Sequence, residues 1–512
     1  MRTRLVLAVA VVALIVGCGQ QAAPSAQSSA APRVMRLMLS NEPTPYAATE
    51  RRELLKETMD SNVLEPLFRL DPSGKPVPAL ALSAESRDST KTWRVQLRQG
   101  VKFQNGDSFG AKDVVETAKW MLAYQKDTGT SGIYSYVPIT DAVQVDDYTV
   151  DLKFASPQPL FLIQQIWLDI YPASIASDPA QRLQAKRIPV GTGPYKFVKW
   201  DAGQSIALER FEAYWGPKPQ ASRVEITWRK EPGVRLAALL AGEVDWAYDL
   251  PLEEADRAPQ KVLLTTPDRY EFRLDSAVQK NPIMADKRIR LALDYALDRQ
   301  ALVNLFAGQA VILQGQLALP GEFGYNPNIK PRAYDLEKAK SLIAEANAVG
   351  KTVQMTCGEA KRPKQREICQ ASAAMFEKAG LKVNLVLLAA GEDTKYTQTQ
   401  GPERGIRVSD IHQQAPDFIL ESEGRFGKSF DKGASQVAYE DQAAWDLYSA
   451  VKAETNLEKR AEKLGLAWAY LYEQGYYIPL VVPSVVLGFA KNIERSSNIT
   501  GWPVVSELKF KN

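Results

Sequence analysis

The stretch from Gly191 to Gly216, GTGPYKFVKWDAGQSIALERFEAYWG, constrains the fold more than any other part of this chain. A glycine–proline turn leads into an alternating strand with Tyr195 and Phe197 on one face. A second turn at Asp201-Ala-Gly203 reverses the chain, and Ile206 and Leu208 share one face of the returning strand. An aromatic segment from Phe211 to Trp215 closes on Gly216-Pro217. Taken alone, a Gly-x-Gly-Pro turn is compatible with an ordinary hairpin, and Pro194 speaks against a loop that cradles phosphate.

The N-terminus, MRTRLVLAVAVVALIVGCGQQ, carries Arg2 and Arg4 and then an uncharged apolar run of 12 residues, Leu5 to Val16. That run is short for a membrane span and right for the core of a signal peptide, so residues 1–17 are expected to be removed. Ile15-Val-Gly-Cys18 resembles a lipobox, which implies acylation of Cys18; the alternative is a plain signal peptide with an incidental cysteine. A multiply acylated cysteine would hold the protein on a membrane, at about 0.8 kcal/mol per buried methylene. Residues 18–33 are rich in Ala, Ser, Gln and Pro and read as a flexible tether.

Without residues 1–17 the chain keeps 61 of its 63 Lys+Arg against 60 Asp+Glu, which gives no reason to expect nucleic acid as a partner. A body of this length is too long for one simple core and suggests two or three lobes. With Cys18 assigned to lipid, Cys357 and Cys369 remain as an even pair in an oxidising compartment. The polar, turn-like text between them lets the chain double back, which points to a disulfide rather than two free thiols. No further Cys and no His stands near to complete a zinc site.

In chain order, Val34 to Leu39 reads as a first strand, followed by a loop with Pro43, Pro45 and Tyr46. Such a loop at a strand's carboxyl end is either a plain connection or part of a ligand crevice. Trp93, Val95 and Leu97 alternate with polar residues, as do Val150, Leu152 and Phe154, and between them a helix places Val114, Ala118 and Met121 on one face. Val224, Ile226 and Trp228 form a strand, and Pro232 to Leu240 a helix. Asp286 begins an amphipathic helix through Ile289, Ala292, Leu293, Ala296 and Leu297, with Gly308 as its stop. Asp335 caps a helix through Ala339, Leu342, Ile343 and Ala346, Pro363 starts another, and Val383, Leu385 and Leu387 make a strand. Alternation of strand and helix here predicts a second α/β lobe.

Several of these segments together resemble one family. Gly191–Gly216, Asn62–Ala81, Val101–Val115, Gly242-Glu-Val-Asp-Trp246 and the text DKRIRLALDYALDRQALV from Asp286 to Val303 are similar in order to the family 5 solute-binding proteins. These are extracytoplasmic receptors of ABC importers for peptides, opines, nickel complexes and some oligosaccharides. The resemblance implies an α/β, two-lobed periplasmic-binding-protein fold with an extra α+β subdomain. It places lobe I at 34–70, 186–272 and 481–512, the subdomain at 71–185 and lobe II at 273–480. Two crossings between lobes, near 272 and 480, would make a hinge. It further implies a monomer in the periplasm, peptide or another small solute as ligand, and ABC permease subunits as partners.

Asp417, in Ala415-Pro-Asp-Phe-Ile-Leu420, occupies the region where peptide-binding members place an acid for the ligand's amino group; Asp410 is the alternative, and a helix cap or surface turn the bland reading. Arg404 and Arg407 are candidate partners for a ligand carboxylate, or solvated loop charges. Tyr46 and Trp200 are candidates for the cleft wall, or core.

No nucleophile elbow, His-Glu-x-x-His helix, Walker loop or Cys-x-x-Cys is present. His412 is the only histidine, a thin supply for a hydrolase triad or a nickel site. The expectation is therefore a binding protein with no cofactor and no metal of its own, with an oligosaccharide or opine receptor, or an envelope hydrolase, as the alternatives.

Overall fold

The computed structural model describes residues 33–47, 49–50, 54–71, 75–129, 132–265, 268–274, 281–358, 364–389, 392, 405–412, 441–495 and 504–511. Residues 1–32, which hold the expected signal peptide, Cys18 and nearly all of the expected tether, lie outside them, as do Pro363, Arg404 and Asp417.

The chain opens with β1 (Val34–Leu39) and α1 (Leu54–Val63). A four-stranded antiparallel sheet follows: β2 (Ala81–Arg87), β3 (Thr92–Leu97), then α2 (Ala111–Thr128), β4 (Ile139–Asp146) and β5 (Thr149–Phe154), in the order β2-β3-β5-β4. Trp93, Val95, Val150 and Leu152 from the sheet meet Val114, Ala118 and Met121 from α2, which closes a core of its own. The Asp113 carboxylate accepts from Gly110 N at 2.8 Å and Ala173 N at 2.6 Å, so one side chain starts α2 and ties a later loop to it.

The signature hairpin forms β6 (Tyr195–Asp201) and β7 (Ser205–Arg210), followed by β8 (Arg223–Trp228), α3 (Pro232–Leu240), β9 (Trp246–Leu250) and β10 (Gln260–Thr265). The second lobe contributes β11 (Asp268–Leu274), α4 (Lys287–Ala296), β12 (Ala310–Ile312), α5 (Leu336–Glu345), β13 (Thr352–Cys357), α6 (Gln365–Lys378), β14 (Lys382–Leu387) and β15 (Ile406–His412). Then come α7 (Gln442–Ala453), α8 (Leu457–Gln474), β16 (Tyr477–Pro479), β17 (Val481–Phe489), β18 (Ile493–Glu494) and β19 (Lys509–Phe510).

The first sheet runs β10-β17-β9-β1-β8-β7-β6, with β12 also on β17; the second runs β14-β13-β15-β11-β16. The chain thus leaves the first sheet after Thr265, enters the second at Asp268, and returns through Leu480 between β16 and β17. The boundary at 272/273 expected from the sequence falls inside β11, whose seven residues pair throughout with β15. β17 bridges the lobes: its first three residues pair with β12, and the rest with β10 and β9.

One expectation is corrected. The helix from Asp286 does not run to Gly308; it ends at Ala296, Leu297 is extended, and Asp298 caps a separate short helix, Arg299–Asn304, by accepting from Ala301 N. The break has a physical reason. It lets Arg299 reach back to the fully buried Asp294, whose other oxygen accepts from Arg332 at 2.6 Å. A continuous amphipathic pattern was overridden by a buried ion triad.

Cys357 and Cys369 are joined by a disulfide, Cα–Cα 6.0 Å, that links the end of β13 to the first turns of α6.

Candidate functional site

The signature stretch works as a joint. Glu65, just past α1, is fully buried and accepts from Thr192 Oγ1 at 2.7 Å, Trp215 Nε1 at 2.7 Å, Tyr214 Oη at 3.0 Å and the Arg69 guanidinium. Gln104 donates to the carbonyls of Val63, Gly193 and Tyr195 and accepts from Gly191 N at 3.0 Å. The two glycines are required by closeness: a Cβ at Gly191 would sit 2.3 Å from Val63 O, and one at Gly193 2.8 Å from Asn62 O. This joint fixes the α+β subdomain and α1 against the first sheet.

α1 in turn packs into the first-lobe core with β1, Leu55, Met59 and Val63 joining Met35, Leu37 and Leu39. That strand lies between β8 and β9 and runs parallel to both, so three strands end on one edge of the first sheet. In the second sheet β14, β13 and β15 are mutually parallel and point to one edge: Cys357 ends level with Leu387 and opposite Val408, and β15 runs four residues further, to His412. Open α/β sheets bind ligands in the crevice beyond such carboxyl ends. With two such edges joined by two adjacent crossings, the crevice beside the hinge is the candidate site.

The first-lobe edge is preorganised by Arg235. Its buried guanidinium donates to the carbonyls of Arg229 at 2.6 Å, Lys230 at 2.8 Å and Tyr248 at 2.7 Å, and to the Asp249 carboxylate at 3.0 Å. One side chain therefore ties together the ends of β8 and β9. Asp249 itself takes φ 55°, in the left-handed region, where the β9–β17 register shifts. The loop after β1 is pinned by Glu42, which accepts from Trp200 Nε1 at 2.7 Å and Gly203 N at 3.1 Å.

Trp200 thus sits on the hairpin edge, half-buried against the first-lobe core with the Arg187 guanidinium 5.3 Å over its ring. Tyr46 is buried at the other end of the same loop, 5.9 Å from the Lys56 ammonium, which pairs with Asp60 at 2.6 Å inside the lobe. One loop therefore carries Tyr46 and reaches Trp200 through Glu42. Arg407 is elsewhere: it lies in β15 of the second sheet, buried, opposite Thr356 on one side and Arg273 on the other. It is a strand residue rather than a solvated loop charge.

Strand alternation puts Arg269 and Glu271 on the Arg407 face, while Tyr270, Phe272, Ile406 and Val408 face the hydrophobic core. Arg269 pairs with Glu322 at 2.7 Å, and burial pushes the Glu322 carboxyl above the usual carboxylate range, opposed by the Arg269 charge. This buried polar stripe escaped the sequence reading, although the alternation in Asp-Arg-Tyr-Glu-Phe-Arg-Leu carried the signal. Among the described residues, no group of three or more His, Cys, Asp or Glu side chains could hold a metal ion. No helix among them is long and apolar enough to cross a membrane.

The chain matches the model of the bacterial extracellular solute-binding proteins, family 5, over residues 75–418, more than half of its length. It is 27% identical over 485 residues to the glutathione-binding protein GsiB of Shigella flexneri, covering 91% of this chain and 90% of that one. Among solved structures, HbpA2 from Haemophilus parasuis superposes with a TM-score of 0.82 at 20% identity, covering 94% of this chain and all of that one. The periplasmic binding protein DppA from Helicobacter pylori, in complex with the peptide STSA, superposes with a TM-score of 0.74 at 21% identity over 94% and 98% of the two chains.

Proposed function

The chain belongs to the family 5 bacterial extracellular solute-binding proteins, and from that premise we propose that it captures a short peptide or peptide-like solute between its lobes and delivers it to an ABC permease. The observation that carries the reading is the pair of adjacent crossings, Thr265 to Asp268 and Leu480, beside two sets of parallel strand ends. Two covalent connections permit one bending motion. The closed state is favoured only to the extent that the ligand binds it better than the open one.

A zwitterionic ligand needs a cation for its carboxylate and an acid for its amine. Arg407 in β15 and Arg404 just before that strand are the proposed cations, Asp417 beyond its end is the proposed acid, and Tyr46 and Trp200 the proposed wall of the first lobe. The similarity to a glutathione-binding protein makes small acidic tripeptides the first ligands to test. Cys18 is proposed to carry the lipid that keeps the receptor beside its permease, and the protein is proposed to act without enzymatic activity.

The test is native mass spectrometry of protein purified without refolding, compared with the same sample denatured. Release of one or more masses built from amino-acid residues supports the reading. Release of a disaccharide or opine mass overturns the peptide assignment and leaves the receptor role. If the protein is empty, thermal shift against a peptide library decides, and no shift with any peptide overturns it.

A further inference from the structure

Residues 1–32 join the body at Arg33, and Arg33 stands on an unusual corner of the first lobe. Its guanidinium lies 5.6 Å over the ring of Phe510 in β19, and Gln220 Oε1 accepts from Phe510 N at 2.9 Å. β19 pairs with β18, and Lys511 N donates to Asn492 O at 2.7 Å. Gln260 Nε2 holds the adjoining turn by donating to the carbonyls of Ala490, Lys491 and Ile493. Arg495 packs 5.4 Å over Phe489.

These contacts bring Arg33, Lys491, Arg495, Lys509 and Lys511 onto one exposed corner. The acid among them is Glu494, opposite Lys509 in the ladder. Among the described residues none of the five cations makes an ion pair with a carboxylate. Elsewhere on the same lobe cations are matched: Lys196 with Glu209, Lys199 with Asp201, Lys218 with Glu212, Arg223 with Glu225. The excess does not follow from composition either, since the chain without residues 1–17 is balanced to within one charge.

We propose that this corner is a membrane-facing surface that rests on anionic lipid headgroups and so sets the orientation of the receptor on the bilayer. The position of the corner favours a lipid surface over an acidic protein. Residues 19–32 can span at most about 50 Å, so an anchor at Cys18 would hold Arg33 and its neighbours within that distance of the bilayer. Attraction to anionic headgroups acts only within about one Debye length, roughly 8 Å at physiological salt. Each cation held there strengthens the contact by about fivefold. The charge cluster stands independently of the anchor; only its nearness to a bilayer rests on the lipidation proposed above.

The experiment uses the full exported chain with a donor fluorophore at Asn492→Cys, mixed with vesicles carrying an acceptor-labelled lipid. Vesicles of phosphatidylcholine alone are compared with vesicles containing phosphatidylglycerol. Higher energy transfer on the anionic vesicles, reduced by about 0.5 M salt and abolished in Lys491→Gln/Arg495→Gln/Lys509→Gln/Lys511→Gln, is the expected result. Equal transfer on both vesicles overturns the proposal, as does anionic preference that survives the fourfold substitution. A thermal midpoint for the variant shows whether it folds, and the salt and lipid dependence of the unsubstituted corner decides if it does not. The mass of the N-terminal peptide reports acylation separately: an unacylated chain still prefers anionic vesicles if the corner binds them, so failure of the anchor and failure of the corner are distinguishable.

Discussion

Glu65→Gln tests whether the signature segment is held by a buried carboxylate. Glu65 presents one oxygen to Trp215 Nε1 and Thr192 Oγ1 and the other to Tyr214 Oη and Arg69. An amide keeps one acceptor and turns the other into a donor. The hydroxyls of Thr192 and Tyr214 can rotate to accept; the indole of Trp215 and the guanidinium of Arg69 cannot. The side chain of Arg69 is 43% exposed and can turn to water, whereas the Trp215 N–H has less access. The favoured amide therefore faces its oxygen to Trp215, and the loss is the charge assistance on that side, about 1–3 kcal/mol. Glu65→Ala strips the acceptor from all four donors and should cost about 3–5 kcal/mol. At about 2–4 °C per kcal/mol for a lobe of this size, differential scanning calorimetry should show a fall of about 2–12 °C for the amide and more for the alanine variant. A second readout is independent of stability. The Tyr214 phenol is pushed up to about 12, first by burial and then by the Glu65 charge, so ultraviolet titration of Glu65→Gln should find it ionising at lower pH. A midpoint within 1 °C of the parent, or an alanine variant no worse than the amide, would refute the argument.

Gly193→Ala should lower the midpoint of the same lobe by an amount matching about 1–3 kcal/mol, because its Cβ meets the backbone of Asn62 and Val63 at 2.8 Å; an unchanged melt would show that α1 can yield. Reducing Cys357–Cys369 removes a closure over a sequence separation of 12, worth about 3 kcal/mol in the chain-entropy model, and should lower only the second lobe's transition in calorimetry. Burial opposes the charge on Asp441, but the hydroxyls of Tyr470 and Tyr476 and two amides of α7 outweigh it and hold the carboxyl below its usual value. A depressed carboxylate stabilises the fold above its unfolded pKa near ~3.9 and loses that contribution as pH falls through the lower folded value. Asp441→Asn should therefore melt earlier than the parent at neutral pH, and urea titrations at falling pH should show the gap closing below about pH 4.

Much of the architecture is readable from local pattern. The hairpin from Tyr195 to Arg210, the helix Pro232–Leu240 and the strand–helix alternation after residue 335 follow from period, turns and caps that lie within one segment. The sequence alone thus determines many of the elements and, through resemblance in several segments, the family with its two lobes. What it does not reveal are partnerships across long separations. Glu65 meets Thr192 and Trp215 at separations of 127 and 150 residues, and nothing in the spacing links them. The break at Leu297 needs Arg332 and Asp294 to be brought together, a contact that an amphipathic count cannot register. Arg407 reads as a loop charge until β15 is placed between β11 and β13. Local periodicity fixes which face of a segment is apolar, whereas the partner of a buried charge is chosen only when the chain closes, because water must be replaced there by groups from distant segments.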